Sequence, residues 1–301
     1  KGNVPFFEKN LQEVIRRNVR CGRLVYSTDL EAFARRVQII FLAEDAADDL
    51  EGIVTHLAKA AAKPPILSIV TPVTVGTATR LENSLKNQNL RATLVSQPMF
   101  FTDGCAVEDF NWPDRIVLGT TSNEAVQMIK QTLHPLVMRG VPVIVTSHET
   151  AELVREAATA FVATKLAFIN EMASLCEHVH ADAVSLSLAL GLDKKIAPRC
   201  LQPGAGMGGT FAELDLDSLT SLASSKGQNL KVLSAAREVN GSLPDQLAGK
   251  IARALQSIQN KHVGVLGLAF KPNTNSVAGS SSIRLVRQLV SQGAHVRAYD
   301  P

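Results

Sequence analysis

A chain of 301 residues with 46% hydrophobic and 20% charged residues is long enough for two domains and falls in the ordinary globular range. Its formal net charge is +3 and no Lys/Arg cluster forms a stripe, which argues against a nucleic-acid binder, since phosphate-driven affinity needs clustered cations. No run approaches the ~20 apolar residues of a membrane span. The first residues lack a secretory pattern, and Cys21, Cys105, Cys176 and Cys200 are too scattered for a metal or redox pair, so a cytoplasmic setting and no metal are expected.

The first half alternates helix-like and strand-like segments. Leu11 to Val19 carries helical spacing, Leu24 to Tyr26 reads as a short strand, and Asp29 can cap a helix beginning at Leu30. Val37 to Ala43 is a continuous apolar run of strand length, as expected for a strand buried on both faces of a parallel sheet. Asp48 to Ala62 returns to helix, and Pro64-Pro65 ends it. Further strands are expected at Ile66 to Val70, Ala92 to Val95, Arg115 to Leu118 and Val141 to Thr146. The fold class is therefore α/β with an open sheet.

From Glu149 to about His180 one long helix is predicted. Its broad apolar face, with Leu153, Phe161, Phe168, Met172 and Cys176, suits packing between domains or in a dimer. Asp182 caps a following helix that ends near Gly191. The glycine-rich stretch 203–210 reads as a loop, followed by helices at about Asp215–Lys226, Asn229–Asn240 and Pro244–Gln259. Val263 to Phe270 is a strand running into a glycine turn, Ser281 to Gln292 a helix, and His295 to Tyr299 a second strand. One βαβ unit cannot close a domain, so the expectation is a first domain over 1–147, a helical middle over 148–243 and the start of a third part over 244–301, with both end domains truncated.

Three groups of residues carry a resemblance. They are Val265 to Thr274 with Gly293 to Pro301; Ala163 to Glu171; and Gly104 to Phe110 with Pro113 to Gly119, joined by Val75-Gly76-Thr77. Taken in chain order, these segments resemble the UDP-glucose/GDP-mannose dehydrogenase family along nearly the whole length of the chain. The resemblance implies two Rossmann-like parallel-sheet domains joined by a long central helix. It implies NAD as cofactor, a nucleotide sugar as ligand, and a homo- or hetero-dimer through the central helix. The family oxidises a sugar CH₂OH to a carboxylate with two NAD⁺, through an aldehyde and a cysteine-bound thioester that allows the second hydride to leave.

By the same resemblance, Lys165 and Asn170 stand at the family's oxyanion-stabilising positions, although five residues on one helix offset them by about 140°. Val75, Gly76 and Thr77 stand at the cofactor loop. Phe100, Phe101, Gly204, Gly206, Gly208, Gly209, Phe270 and Lys271 stand at the substrate. Asp215 keeps the family's aspartate, with a helix N-cap as its competing role.

Several positions depart from the family pattern. Phe211 stands where the family has its nucleophilic cysteine, Leu214 where it has a lysine, and Met99 where it has the hydrolytic glutamate. Ala43 to Ala47 brings Glu44 and Asp45 into a cofactor loop where they would repel a pyrophosphate. Asn275 to Ala278 lacks the family's nucleotide arginine. The expectation is a catalytically degenerate relative, a pseudoenzyme with a structural, regulatory or partner-binding role. Two alternatives stay open: an active NAD-dependent oxidoreductase with a variant mechanism, and a nucleotide-sugar sensor.

Overall fold

Residues 3–43 and 49–301 are described by the computed structural model. They fall into two units, residues 1–155 and 156–301. Helix α1 (Leu11–Arg20), α2 (Leu30–Ala34), β1 (Ile39–Leu42), α3 (Leu50–Ala60), β2 (Ile66–Ile69), α4 (Thr77–Asn87) and β3 (Thr93–Ser96) open the first unit. It continues with α5 (Ala106–Asn111), β4 (Ile116–Gly119), α6 (Asn123–Thr132), α7 (His134–Met138) and β5 (Val143–Thr146). As the sequence suggests, the Asp29 side chain accepts from Ala32 N at 2.9 Å and starts α2.

The five strands form one sheet in the order β1-β2-β3-β4-β5. β1, β2 and β3 run parallel, as do β4 and β5. The two blocks meet at a single antiparallel pair, Ser96 with Gly119. Every residue of β2 and β4 is buried. Leu67, Ile69 and Leu94 pack against Val54 and Leu57 of α3 and Leu81 and Leu85 of α4, while Val95 and Leu118 pack against Ile129, Leu133 and Leu136. Covering both faces in this way is why these strands are mostly apolar, the buried Ser68 of β2 donating its hydroxyl to Gln97 Oε1 at 2.8 Å.

Two sequence expectations fail here. β1 is the sheet's edge in the described chain, and Phe41 is 38% exposed, so that strand is not buried on both faces. Leu24 to Tyr26 forms no strand: apolar residues supply β propensity but no neighbouring ladder, and Val25 and Tyr26 remain exposed. The acidic segment Glu44 to Ala47 lies outside the described residues.

Helix α8 (His148–Val179) is the long helix anticipated, 32 residues in length. The second unit continues with α9 (Ala183–Leu192), α10 (Thr210–Ser225), α11 (Lys231–Leu255), β6 (His262–Leu266), α12 (Ser281–Ser291) and β7 (His295–Tyr299). Asp182 caps α9 by accepting from Val184 N and Ser185 N, and hydrogen bonding from the Ser185 side chain together with these amides holds its carboxyl below the usual range. β6 and β7 pair in parallel with α12 as their crossover. Val263, Val296, Leu285 and Leu289 meet Ala248, Ile251 and Ala252 of α11 in a small core.

The two helices expected at Asn229–Asn240 and Pro244–Gln259 are one, with Pro244 inside α11. An interior proline costs about 3 kcal/mol. Burial of Leu243, Pro244 and Ala248 on the same face keeps the helix continuous, a tertiary effect that local propensity cannot register. Among the described residues no helix is long and apolar enough to cross a membrane.

Candidate functional site

The second unit brings the glycine loop against the turn after β6. Gly206 has φ +109°, and a Cβ there would lie 2.7 Å from Asn240 Oδ1, so only glycine fits. A Cβ on Gly208 would meet Gly279 O at 2.8 Å and Phe270 Cβ at 3.0 Å. The Phe270 ring lies beneath Gly209, and Gly209 N donates to Ala278 O at 3.2 Å. Lys271 Nζ sits 6.0 Å from the Phe270 ring centroid. Thus Gly206, Gly208, Gly209, Phe270 and Lys271 are neighbours. Gly204 joins them through the loop backbone, with nothing within 4 Å of its own Cβ position.

Two asparagines pin this loop. Asn240 on α11 accepts from Met207 N at 2.6 Å and donates to Met207 O at 3.1 Å. Asn170 on α8 is buried, donates to Leu166 O at 2.8 Å and accepts from Gly204 N at 2.9 Å. Both ends of the Asn170 amide are therefore engaged with backbone.

Lys165 is engaged as well. Its ammonium donates to the carbonyls of Ile196, Ala197 and Arg199 at 3.0, 3.1 and 2.7 Å. An ammonium has three N–H donors, and three carbonyls take them. Lys165 and Asn170 thus serve one loop, residues 193–209, from two sides of α8. The angular offset seen in the sequence is resolved by the loop wrapping the helix.

Asp215 is not an N-cap. It lies in the second turn of α10, 3% exposed, and accepts from Thr159 Oγ1 of α8 at 2.8 Å. The cap position is held by Gly209, because the chain enters α10 one turn earlier than the polar pattern implies. Phe211 falls in the first turn of α10, with its side chain outside what the structure describes, and Leu214 is exposed.

The turn after β6 depends on Gly267, whose φ is +94°. The backbone N–H groups that follow do not stand open for phosphate. Leu268 N and Ala269 N, the latter at 2.7 Å, donate to Asp300 at the end of β7. These bonds hold the Asp300 carboxyl below its ordinary range, so the clasp is fully formed above the ordinary aspartate range and is lost only as acid protonates the carboxyl below it.

In the first unit, Val75, Gly76 and Thr77 lead into α4, with Gly76 at φ +92°. This helix start lies at the carboxyl ends of β2 and β3, where open α/β sheets bind ligands. Its donors are already occupied. Gly76 N and Ala78 N donate to the two oxygens of Glu152 at 2.6 and 2.9 Å, and Ser96 Oγ donates to Glu152 Oε1 at 3.2 Å. Glu152 is 4% exposed. A pyrophosphate at this terminus would meet a buried carboxylate, so these residues do not fit the role of a diphosphate cradle.

The same cluster extends outward. Ser96 Oγ contacts His148 Nδ1 at 3.0 Å, and His148 Nε2 contacts Glu82 at 3.3 Å. Sequence reasoning missed Glu152, His148 and Asn240. For the first two, the available signal was the run of polar side chains His148, Glu152 and Glu156 at i, i+4 spacing on one helix.

Met99, Phe100 and Phe101 occupy the segment after β3. Arg115 stacks over the Phe100 ring at 3.8 Å, and Phe101 packs beside Phe110 at 6.3 Å between centroids. These aromatics make cation–π and ring contacts within their own unit.

Comparison with known proteins matches the chain to three parts of one family. Residues 1–137 match the NAD binding domain of the UDP-glucose/GDP-mannose dehydrogenase family, residues 149–242 its central domain and residues 264–301 its UDP binding domain. UDP-glucose 6-dehydrogenase TuaD of Bacillus subtilis is 33% identical, aligned over 100% of this chain and 67% of its own length. The UDP-glucose 6-dehydrogenase of Rhizobium meliloti is also 33% identical, over 100% and 72%. A solved UDP-glucose dehydrogenase from Pyrobaculum islandicum superposes with a TM-score of 0.91 at 28% identity, covering 100% of this chain and 72% of that one. With three consecutive domain matches and relatives at this level, the chain belongs to the UDP-glucose/GDP-mannose dehydrogenase family.

Proposed function

We propose that this chain is a family member that keeps the nucleotide-sugar dehydrogenase scaffold without its turnover, acting as a structural, regulatory or partner-binding protein. One observation carries the reading: all three Lys165 donors are committed to backbone carbonyls, leaving none for a developing oxyanion. Phe211 supports it, since a benzyl ring has no atom able to form an acyl adduct. Leu214 and Met99 cannot replace a lysine and a glutamate. NAD is the cofactor implied by the family, and the Glu152 carboxylate at the start of α4 argues against diphosphate binding there.

Calorimetry of the protein with NAD⁺ and with UDP-glucose, followed by NADH absorbance, tests this. The expected result is no NADH. A Phe211→Cys, Met99→Glu double variant stays inactive as well, because Lys165 and the α4 terminus are unchanged. Steady NADH production with a uronate product would end this reading, whereas a burst of NADH without acid would favour an oxidoreductase limited to one hydride transfer. A second reading, a nucleotide-sugar sensor, is favoured by the clustering of Gly206, Gly208, Gly209, Phe270 and Lys271. It is selected if UDP-glucose gives binding heat and NAD⁺ gives none.

The division into 1–147, 148–243 and 244–301 and a cytoplasmic location belong to the same proposal, as does a dimer through the central helix. Phe161, Phe168 and Leu175 recur every seven residues on α8 and are exposed, an apolar stripe suited to a second helix. Phe161→Glu with Phe168→Glu is expected to convert a dimer to a monomer in light scattering. An unchanged mass in the double variant would refute the stripe as the interface.

A further inference from the structure

We propose that His262 and His295 form a two-imidazole chelating site for a divalent transition-metal ion of borderline softness, such as Ni²⁺, Cu²⁺ or Zn²⁺. The two residues lie 33 positions apart in the sequence, so no ligand spacing marks them. The parallel register of β6 and β7 places them directly opposite one another, His262 beside His295. Strand alternation then sends both to one side. Val263 and Val296 turn inward to the core with α11 and α12, while His262 and His295 are exposed.

The rings are stacked, with centroids 5.0 Å apart and planes 25° from parallel. Metal–imidazole bonds of about 2.0–2.1 Å require the two donor nitrogens to lie about 3 Å apart. Ring nitrogens donate in the ring plane, so the stacked rings must turn about their side-chain torsions until both planes contain the ion; both side chains are exposed and free to do so, and water completes the coordination. Gly264, next on the same face of β6, adds no side chain beside the pair. Neutral imidazole is the ligand for these ions, and Cu²⁺ binds most tightly in the series. Lys261 and Arg297 bring positive charge nearby and are both exposed, so their repulsion of the ion is screened by solvent. Among the described residues no group of three or more His, Cys, Asp or Glu could hold a metal, which makes this a two-ligand site that depends on both rings.

Titrating Ni²⁺ and Cu²⁺ into the full chain by calorimetry is expected to show one ion per chain. Because the second ligand acts at high effective concentration, His262→Gln and His295→Gln each weaken binding roughly hundredfold, and the double variant, left with neither imidazole, loses binding at this site. Copper-loaded parent protein is expected to show superhyperfine splitting from two nitrogens by electron paramagnetic resonance, a readout that needs no variant. Melting in EDTA reports whether the exposed substitutions leave the fold intact. Tight binding that survives in both single variants, or a copper spectrum with one nitrogen or none, would overturn the proposal.

Discussion

Replacing Glu152 with alanine is expected to lower the stability of the first unit by about 2–4 kcal/mol, since hydrogen bonds to a buried charged group are worth ~1.5–3 kcal/mol each and orphaned buried donors add a penalty. Three groups lose their acceptor: Gly76 N, Ala78 N and Ser96 Oγ. The two amides belong to the first turn of α4, where a negative charge also opposes the positive end of the helix dipole. Glu152→Gln is isosteric but neutral and presents an N–H where an acceptor is needed, so it should fall between parent and alanine. Urea unfolding measures the loss, and hydrogen exchange at Gly76 and Ala78 locates it. If the alanine variant unfolds at the parent's urea concentration, Glu152 is not the element that closes this terminus.

The second large effect is expected at Gly208. Its Cβ position is 2.8 Å from Gly279 O and 3.0 Å from Phe270 Cβ. The nearest neighbour is backbone, so no flexible side chain can move aside. Overpacking of this kind costs about 1–3 kcal/mol, and Gly208→Ala should also displace the loop from Phe270. Gly204→Ala is the matched control, because its Cβ meets nothing within 4 Å, and a substitution without new contacts stays within about 0.5 kcal/mol. Equal melting temperatures for the two variants would refute the close backbone approach that defines this loop.

Much of the architecture was legible because the signals are short-range. The mostly apolar segments at 66–70 and 115–118 mark central strands, and Asp29 and Asp182 announce helix starts through bonds to amides two or three residues away. The exceptions fail for one reason. Leu24 to Tyr26 has strand composition and no ladder among the described strands, and Pro244 has a breaker's chemistry inside a helix held by burial. In both, a contact outside the local window decided the outcome.

The candidate site divides in the same way. Glycines 206, 208 and 209, with Phe270 and Lys271, could be selected from the sequence, and the fold gathers them. The roles of Lys165, Asn170 and Asp215 could not be read there. Whether an ammonium faces a substrate or three carbonyls depends on residues 31 to 34 positions away, and Asp215 finds its partner 56 positions back at Thr159.

By itself, then, the sequence determined the α/β class, most of the helix and strand segments, the family and the identity of the side chains at 99, 211 and 214. Those follow from local periodicity and from residue chemistry, which need no neighbours. Only the tertiary structure decided that Glu152 fills the α4 terminus, that Lys165 is tied to a loop, and that His262 stands against His295. Each is a pairing between distant segments, and the chain's register and packing choose such partners, not the residue types alone.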